Sequence, residues 1–207
     1  QKIKLYKNNK VKIHPILADC SDKDFLIKRF LNIKIDYIYH AAAYKHVGYG
    51  ELNPYSIIKN NIFGTLSVVQ FAIIKKIKNF IFVSTDKAVN PKSLLGLTKK
   101  FGEIITHYYY KKIKQKVGYR FSVVRFGNVI GSSGSVIPIF LDQIKNNRPL
   151  TLTHKDVERY FMSIPEAIRL IIHSSSINLG FNIFVLDMGK QIKIIDIAKR
   201  IIRLSGN

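Results

Sequence analysis

An α/β fold built on a doubly wound parallel sheet is the architecture this sequence predicts, and three observations predict it. Short strand-like runs occur at 35–42, 80–83 and 121–126, and the run 35–42 is continuous, the pattern of strands covered on both faces. Between them lie longer segments whose apolar residues recur at helical spacing, so strand and helix alternate along the first 126 residues. Small or polar residues follow each strand, where open parallel sheets hold their ligands.

In chain order, residues 11–18 read as a strand ending at Asp19, and 21–32 as a helix with Phe25, Ile27, Phe30 and Leu31 apolar and Ser21 or Asp22 as cap. Residues 35–42 form the next strand. Pro54 opens a long helix in which Ile58, Ile62, Leu66, Val69 and Ile73 share a face. Residues 80–83 are a strand, 95–112 a helix and 121–126 a strand. From Gly127 the segment GNVIGSSGSVIP reads as a loop. Short helices follow, and Ser163-Ile164-Pro165-Glu166 has the spacing of a capping box. Residues 181–187 are expected to return to the sheet as a strand, and Ile194–Leu204 to form an amphipathic helix.

Composition narrows the function classes. Hydrophobic residues at 47% and charged residues at 23% describe a folded chain, not a disordered one. No run of about 18 apolar residues occurs, so no membrane span is expected in this chain. QKIKLYKNNK lacks the apolar core of a signal peptide. The single cysteine, Cys20, excludes an intrachain disulfide and points to a reducing compartment. The 34 basic and 13 acidic residues leave a net charge of +21, which reads two ways. One is a polyanion-binding module; the other is a composition rich in lysine, isoleucine and asparagine throughout. The basic residues are scattered and no nucleic-acid-binding motif accompanies them, so no nucleic-acid partner is expected. An anionic small substrate would also profit from the field. No metal site is expected.

The residues after the strands carry the chemistry. They are Asp19; His40, Ala41, Ala42 and Ala43; Ser84, Thr85, Asp86 and Lys87; and Arg125, Phe126, Gly127 and Asn128. Small side chains admit a cofactor closely, and ionisable ones supply acid–base chemistry. Leu95 and Lys99 stand one helical turn apart on the next helix. Taken alone, Asp86 and Lys87 read equally as a strand-end turn, one capping and one solvated.

Taken together, IDYIYHAAAYKHV, NPYSIIKNNIFGT, FVSTDKAVNP, GLTKK, VVRFGNVIGSSGSVIPIF, RYFM and FVLDMG resemble the extended short-chain dehydrogenase/reductases. Within these they resemble the nucleotide-sugar 4,6-dehydratases of bacterial polysaccharide biosynthesis, which act on UDP-N-acetylglucosamine. The resemblance runs from about Val11 to Gly206. It implies a Rossmann-like sheet lacking its first two strands, with a partial NAD(P)-binding domain over 1–130 and part of a substrate-binding region over 131–207. A fragment truncated at both ends is therefore expected. In the strand order 3-2-1-4-5-6, loss of the first two would leave a gap between the third and fourth.

The resemblance also implies roles. NAD or NADP removes hydride from C4 of a UDP-sugar, water leaves across C5 and C6, and the hydride returns to C6. Thr85 would bond the C4 oxygen, Asp86 protonate the departing hydroxyl and Lys87 take the C5 proton. Asp86-Lys87 matches the inverting branch. Lys99 matches the lysine that holds the nicotinamide ribose. Leu95 occupies the position of the usual tyrosine base, which marks either a tyrosine-independent variant or a degenerate copy. The C4 base would then be Asp86, Lys87 or a water held by Thr85.

Asp19, His40, Ala41, Ala42 and Ala43 match the adenosine and pyrophosphate side, and Asn61 a residue that braces the central strands. Lys45, His46, Asn128, Ser135, Val136 and Arg159 match the substrate side. Gly48 replaces a usual proline. The alternatives are an epimerase of the same superfamily, against which Asp86-Lys87 argues, and a non-catalytic nucleotide-binding fragment. A homo-oligomer is expected, in the cytoplasm or, for a membrane-anchored longer parent, at the cytoplasmic face of the inner membrane.

Overall fold

Four strands lie side by side in chain order: β1 (Tyr37–His40), β2 (Asn79–Val83), β3 (Arg120–Arg125) and β7 (Gly180–Val185), all parallel. The computed structural model describes residues 11–115, 118–132, 134–152, 154–177 and 180–206. Register sets Phe80 beside Phe121 and Phe82 beside Val123, all four fully buried. Alternation along a strand sends these to one face, where they join Val69, Phe71 and Ala72 of α4 (Gly64–Ile74) in the main core. Ile81 and Val124, of opposite parity, face the other way. There α7 (Ile164–Ser176) packs on β2 and β3, and Tyr39 Oη donates to Ser175 Oγ at 3.1 Å. Helices thus cover both faces of the two central strands, which is why the run 80–83 of β2 is continuously apolar.

The long helix α5 (Leu94–Ile113) starts at Ser93, whose Oγ accepts from Gly96 N at 3.2 Å. It lies very close to β2: a Cβ on Gly102 would stand 2.3 Å from the ring of Phe82, and one on Gly96 2.6 Å from the carbonyl oxygen of Lys87. The helix opened by Pro54 is not uniform. After α3 (Pro54–Ile58) the Lys59–Phe63 turn is π-helical and carries one residue more per turn before α4 begins. That turn contains the buried Asn61, whose amide brackets the backbone of Tyr44 and also donates to Thr98 Oγ1 at 3.0 Å. Residues 54–74 have a mean hydropathy of 1.4 over their most apolar window and the length to cross a membrane, but Val68, Val69, Phe71 and Ala72 are committed to the core.

A smaller cluster of Phe140, Ile194 and Ala198 joins α6 (Val136–Lys145) to α8 (Ile194–Leu204). Two short ribbons accompany it: β4 (Asn128–Val129) with β6 (Phe161–Met162), and β5 (Glu158–Arg159) with β8 (Ile192–Lys193). The capping box at Ser163 is complete, with Ser163 N donating to Glu166 Oε2 at 2.6 Å and Glu166 N to Ser163 Oγ at 3.3 Å.

Three expectations are corrected. Residues 11–18 form no strand and are largely exposed, because no described strand offers them a ladder of hydrogen bonds. The four strands that do form are contiguous, so the sheet has no gap. The segment GNVIGSSGSVIP is not loop throughout: α6 begins within it at Val136, and Pro138 is tolerated in the first turn, where its missing N–H has no partner to lose. The short helices α1 (Lys23–Arg29) and α2 (Val47–Leu52) complete the fold.

The α5–β2 contact is tested by Gly102→Ala, which is expected to cost about 1–3 kcal/mol in urea unfolding through overpacking against Phe82. Gly48→Ala, at a helical position with nothing within 4 Å of an added Cβ, is expected to hold or raise stability by up to about 1 kcal/mol.

Candidate active site

At the carboxyl ends of β1, β2 and β3 lies a cavity of about 630 Å³, a size suited to a small molecule. Its floor is the turn after β2. Thr85 caps a single turn of 3₁₀ helix, Asp86–Ala88. Asp86 Oδ1 accepts from Thr85 Oγ1 at 2.7 Å, Lys87 N at 2.8 Å and Lys87 Nζ at 3.1 Å. Lys87 Nζ also donates to Asn128 Oδ1 at 2.9 Å. Thr85, Lys87 and Asn128 line the cavity; Asp86, bonded to Thr85 and Lys87, is not among its lining residues. Gly96 lets the first turn of α5 press on the Lys87 carbonyl, so the helix and the turn form one unit.

Lys99 projects from α5 into the same cavity. Its Nζ donates to Val83 O at 2.7 Å and stands 4.9 Å from the ring centroid of Phe82. Burial pushes its pKa down to about 8, against the pull of the Glu103 charge, which favours the ammonium. Leu95, one turn earlier, also lines the cavity and offers no exchangeable proton. Glu103, one turn later, is buried and fully engaged. Arg125 Nε and Nη2 donate to its two oxygens at 2.8 and 2.6 Å, and Ser84 Oγ donates to Oε1 at 2.7 Å.

The remaining predicted residues divide. Ala41 and Ala43 line the cavity and Ala42, of opposite parity, does not. His40 is buried beneath. Thr65 Oγ1 spends its proton on Asn61 O at 2.6 Å, so at 3.0 Å His40 Nε2 is the donor to Thr65. Burial, reinforced by Lys99, pushes the His40 pKa down to about 3, so the ring is neutral and structural. Asn61 braces Tyr44 and α5 from outside the cavity. Asp19 lies apart at the entry to α1, where the N–H and hydroxyl of Ser21 both donate to its carboxylate at 2.8 Å and hold it below the ordinary carboxylate range.

Lys45 and His46 form the opposite wall. His46 packs over Gly134, a residue at φ +65° where a Cβ would stand 2.1 Å from the ring, so only glycine fits there. Ser135 occupies the N-cap of α6 without capping it, and its Oγ is buried with no hydrogen-bond partner among the described residues. Val136 begins that helix, and Arg159 reaches the cavity from β5. Among the described residues no cluster of side chains could hold a metal ion.

Sequence reading missed the Glu103–Arg125–Ser84 network and the close seat of Gly127, whose N–H lies 2.8 Å from Met188 Sδ. The signal for Glu103 was present: residues 95, 99 and 103 are spaced four apart and share one helical face.

A parallel sheet flanked on both faces, with Thr-Asp-Lys at the end of one strand and a buried lysine on the next helix, defines an extended short-chain dehydrogenase/reductase fold. The match to the polysaccharide biosynthesis protein family runs over residues 1–207, and the chain belongs to that family. Its sequence is 44% identical over 198 residues to the capsular polysaccharide biosynthesis protein CapD of Staphylococcus aureus, covering 96% of this chain and 33% of CapD. The X-ray structure of Pen from Bacillus thuringiensis superposes with a TM-score of 0.90 at 34% identity, covering 97% of this chain and 61% of Pen. The dTDP-glucose 4,6-dehydratase DesIV of Streptomyces venezuelae, solved with NAD and DAU bound, shares the fold, with a TM-score of 0.81 at 17% identity over 91% of this chain and 62% of DesIV. The chain spans about a third of the length of the curated relatives it matches first.

The burial of His40 has a pH consequence. An unfolded histidine takes its proton near 6.5 and folded His40 only near 3. Between these values the unfolded state binds more protons, so stability is full above 6.5 and falls with pH by about 1.4 kcal/mol per pH unit. Urea unfolding at about pH 7 and about pH 5 is expected to show this loss, and His40→Gln to show a shallower one.

Proposed function

We propose that this chain carries the catalytic floor of an NAD(P)-dependent UDP-N-acetylhexosamine 4,6-dehydratase of the inverting type, forming a 4-keto-6-deoxy sugar for polysaccharide biosynthesis. The observation that carries the reading is that Thr85, Lys87 and Asn128 line one cavity with Lys99, while the Asp86 carboxyl is bonded to Thr85 and Lys87. An acid and an amine side by side suit an elimination, in which one group must give a proton while another takes one.

Residues that fit a dinucleotide are present. Ala41 and Ala43 present no bulk, and Lys99 spends one of its three protons on Val83 O, leaving two for ribose hydroxyls. The bound cofactor would supply hydride removal at C4 and its return at C6. Thr85 bonds the C4 oxygen. Lys87, held by Asn128, passes its ammonium proton to the adjoining Asp86 carboxylate at 3.1 Å and, as the free amine, takes the C5 proton. The Asp86 carboxyl turns toward the cavity when substrate draws Lys87 away, and protonates the leaving C6 hydroxyl; its Oδ2 has no hydrogen bond among the described residues. Leu95 leaves the C4 hydroxyl to one of the groups on the floor.

For the UDP diphosphate, three features converge: the N-terminus of α6, the unpartnered Ser135 hydroxyl and the Arg159 guanidinium. Residues 1–130 then serve the cofactor and 131–207 the substrate. A homo-oligomer is supported by the exposed stripe Leu97, Phe101, Ile104 and Tyr108 on α5. A reaction on a UDP-sugar with a nicotinamide cofactor belongs to the cytoplasm or to the cytoplasmic face of the inner membrane.

Incubating the full-length protein with UDP-N-acetylglucosamine is expected to give a product lighter by one water in mass spectrometry. Cofactor bound with no loss of water would sink the reading. Lys87→Ala is expected to lower turnover by about 10²–10⁴-fold while leaving the unfolding transition in place. Leu95→Tyr separates the branches: a variant that gains activity over an inactive parent would mark this chain as a non-catalytic copy, whereas an active parent needs no tyrosine.

A further inference from the structure

Glu103 is a buried carboxylate that the chemistry above does not use. Two donors from Arg125 and one from Ser84 converge on it, and Lys100 Nζ stands 3.9 Å away. A buried ion pair is a weak device for stability alone, since apolar residues of the same volume do as well or better. What a bidentate pair adds is direction, because the fork fixes the plane of the carboxylate and leaves a defined lone pair for a third donor. Here that third donor is Ser84, the residue between the last position of β2 and Thr85.

The backbone around this point is pinned from two sides. Toward β3, Ser84 N donates to Val124 O at 2.8 Å and Asp86 N to Phe126 O at 3.2 Å. Toward α5, Lys99 Nζ grips Val83 O and Glu103 grips Ser84 Oγ, from positions one helical turn apart on consecutive residues of the strand end. The distance between the cofactor-facing lysine and the sugar-facing turn is therefore set by this pair of contacts. Glu103 also lies close enough to Lys99 to favour its charged form, opposing the effect of burial.

We propose that Glu103, clamped by Arg125, is a positioning residue: through Ser84 it holds the Thr85–Lys87 turn at a fixed reach from Lys99. The inference rests on the dehydratase reading for its effect on turnover, but not for its effect on Lys99. In full-length protein, Ser84→Ala removes the third contact and keeps the ion pair. It is expected to lower kcat by about 10- to 100-fold with KM and the unfolding transition little changed. Glu103→Gln is expected to lower kcat at least as far. It should also move the titration midpoint of Lys99, followed by NMR of ¹³Cε-labelled lysine, down by about one pH unit, a shift that Ser84→Ala does not produce.

An unaltered kcat in Ser84→Ala overturns the proposal, whatever Glu103→Gln does to folding. An unaltered Lys99 midpoint in folded Glu103→Gln overturns it as well. Should the parent protein remove no water, the dehydratase reading fails on its own. The Lys99 midpoint in Glu103→Gln, together with the affinity of Ser84→Ala for NAD, then decides this one: either of them unchanged defeats it, and a lowered midpoint with weakened binding upholds it.

Discussion

Everything at the cavity depends on how closely α5 can approach the end of β2. The approach is possible because Gly96 and Gly102 have no side chains: one sits on the Lys87 carbonyl and the other under the ring of Phe82. At that separation Lys99 reaches Val83 O and Glu103 reaches Ser84. A helix displaced by the width of a methyl group would lose both contacts, because a hydrogen bond does not survive an extra ångström. Packing and chemistry are therefore one constraint here, not two.

Close packing has an electrostatic cost, and the polar groups under the cavity are arranged to offset it. A buried cation is disfavoured unless its donors are satisfied and an opposite charge is near. Lys99 has a carbonyl, an aromatic face and Glu103; Glu103 has Arg125 and Ser84. His40 meets the same conditions differently, by staying neutral and donating to Thr65. Beneath the cavity, then, His40 and Glu103 have their hydrogen-bonding needs met, while Lys99 keeps two donors for the cavity. The Ser135 hydroxyl at its wall is the exception among the described residues, being buried with none.

Much of the fold was legible because continuous apolar runs and helical spacing each have a simple cause. The sheet strands beginning near 35, 80, 121 and 181, and the helices around 54, 95 and 194, appear close to where that spacing puts them. Residues 11–18 show the limit: an apolar pattern suits a strand, but a strand exists only with a partner, which local pattern does not contain. The start of α6 was hidden for the opposite reason, since glycine, serine and proline mark loops until proline falls in a first turn. At the site, the motif residues could be named, but not that Asp86 is left out of the lining between Thr85 and Lys87, nor that Ala42 is left out between Ala41 and Ala43. Side-chain direction in a tight turn follows from the turn's geometry rather than from residue type. Glu103 went unnoticed because a charged residue on a helix is ordinarily solvated, and only the position of Arg125 across the sheet reveals otherwise.

The π-helical turn at Lys59–Phe63 bears on how this part of the chain tolerates change in length. Each residue of an α-helix advances about 100° around its axis. Removing one residue from 59–63 would restore a regular helix locally, yet it would rotate everything downstream against everything upstream. Val68, Val69 and Ala72 would leave the core, or Ile57 and the Pro54 entry would. Single-residue deletions in this helix are thus coupled to its entire apolar face, while the exposed stretch 11–18 has no such register to keep.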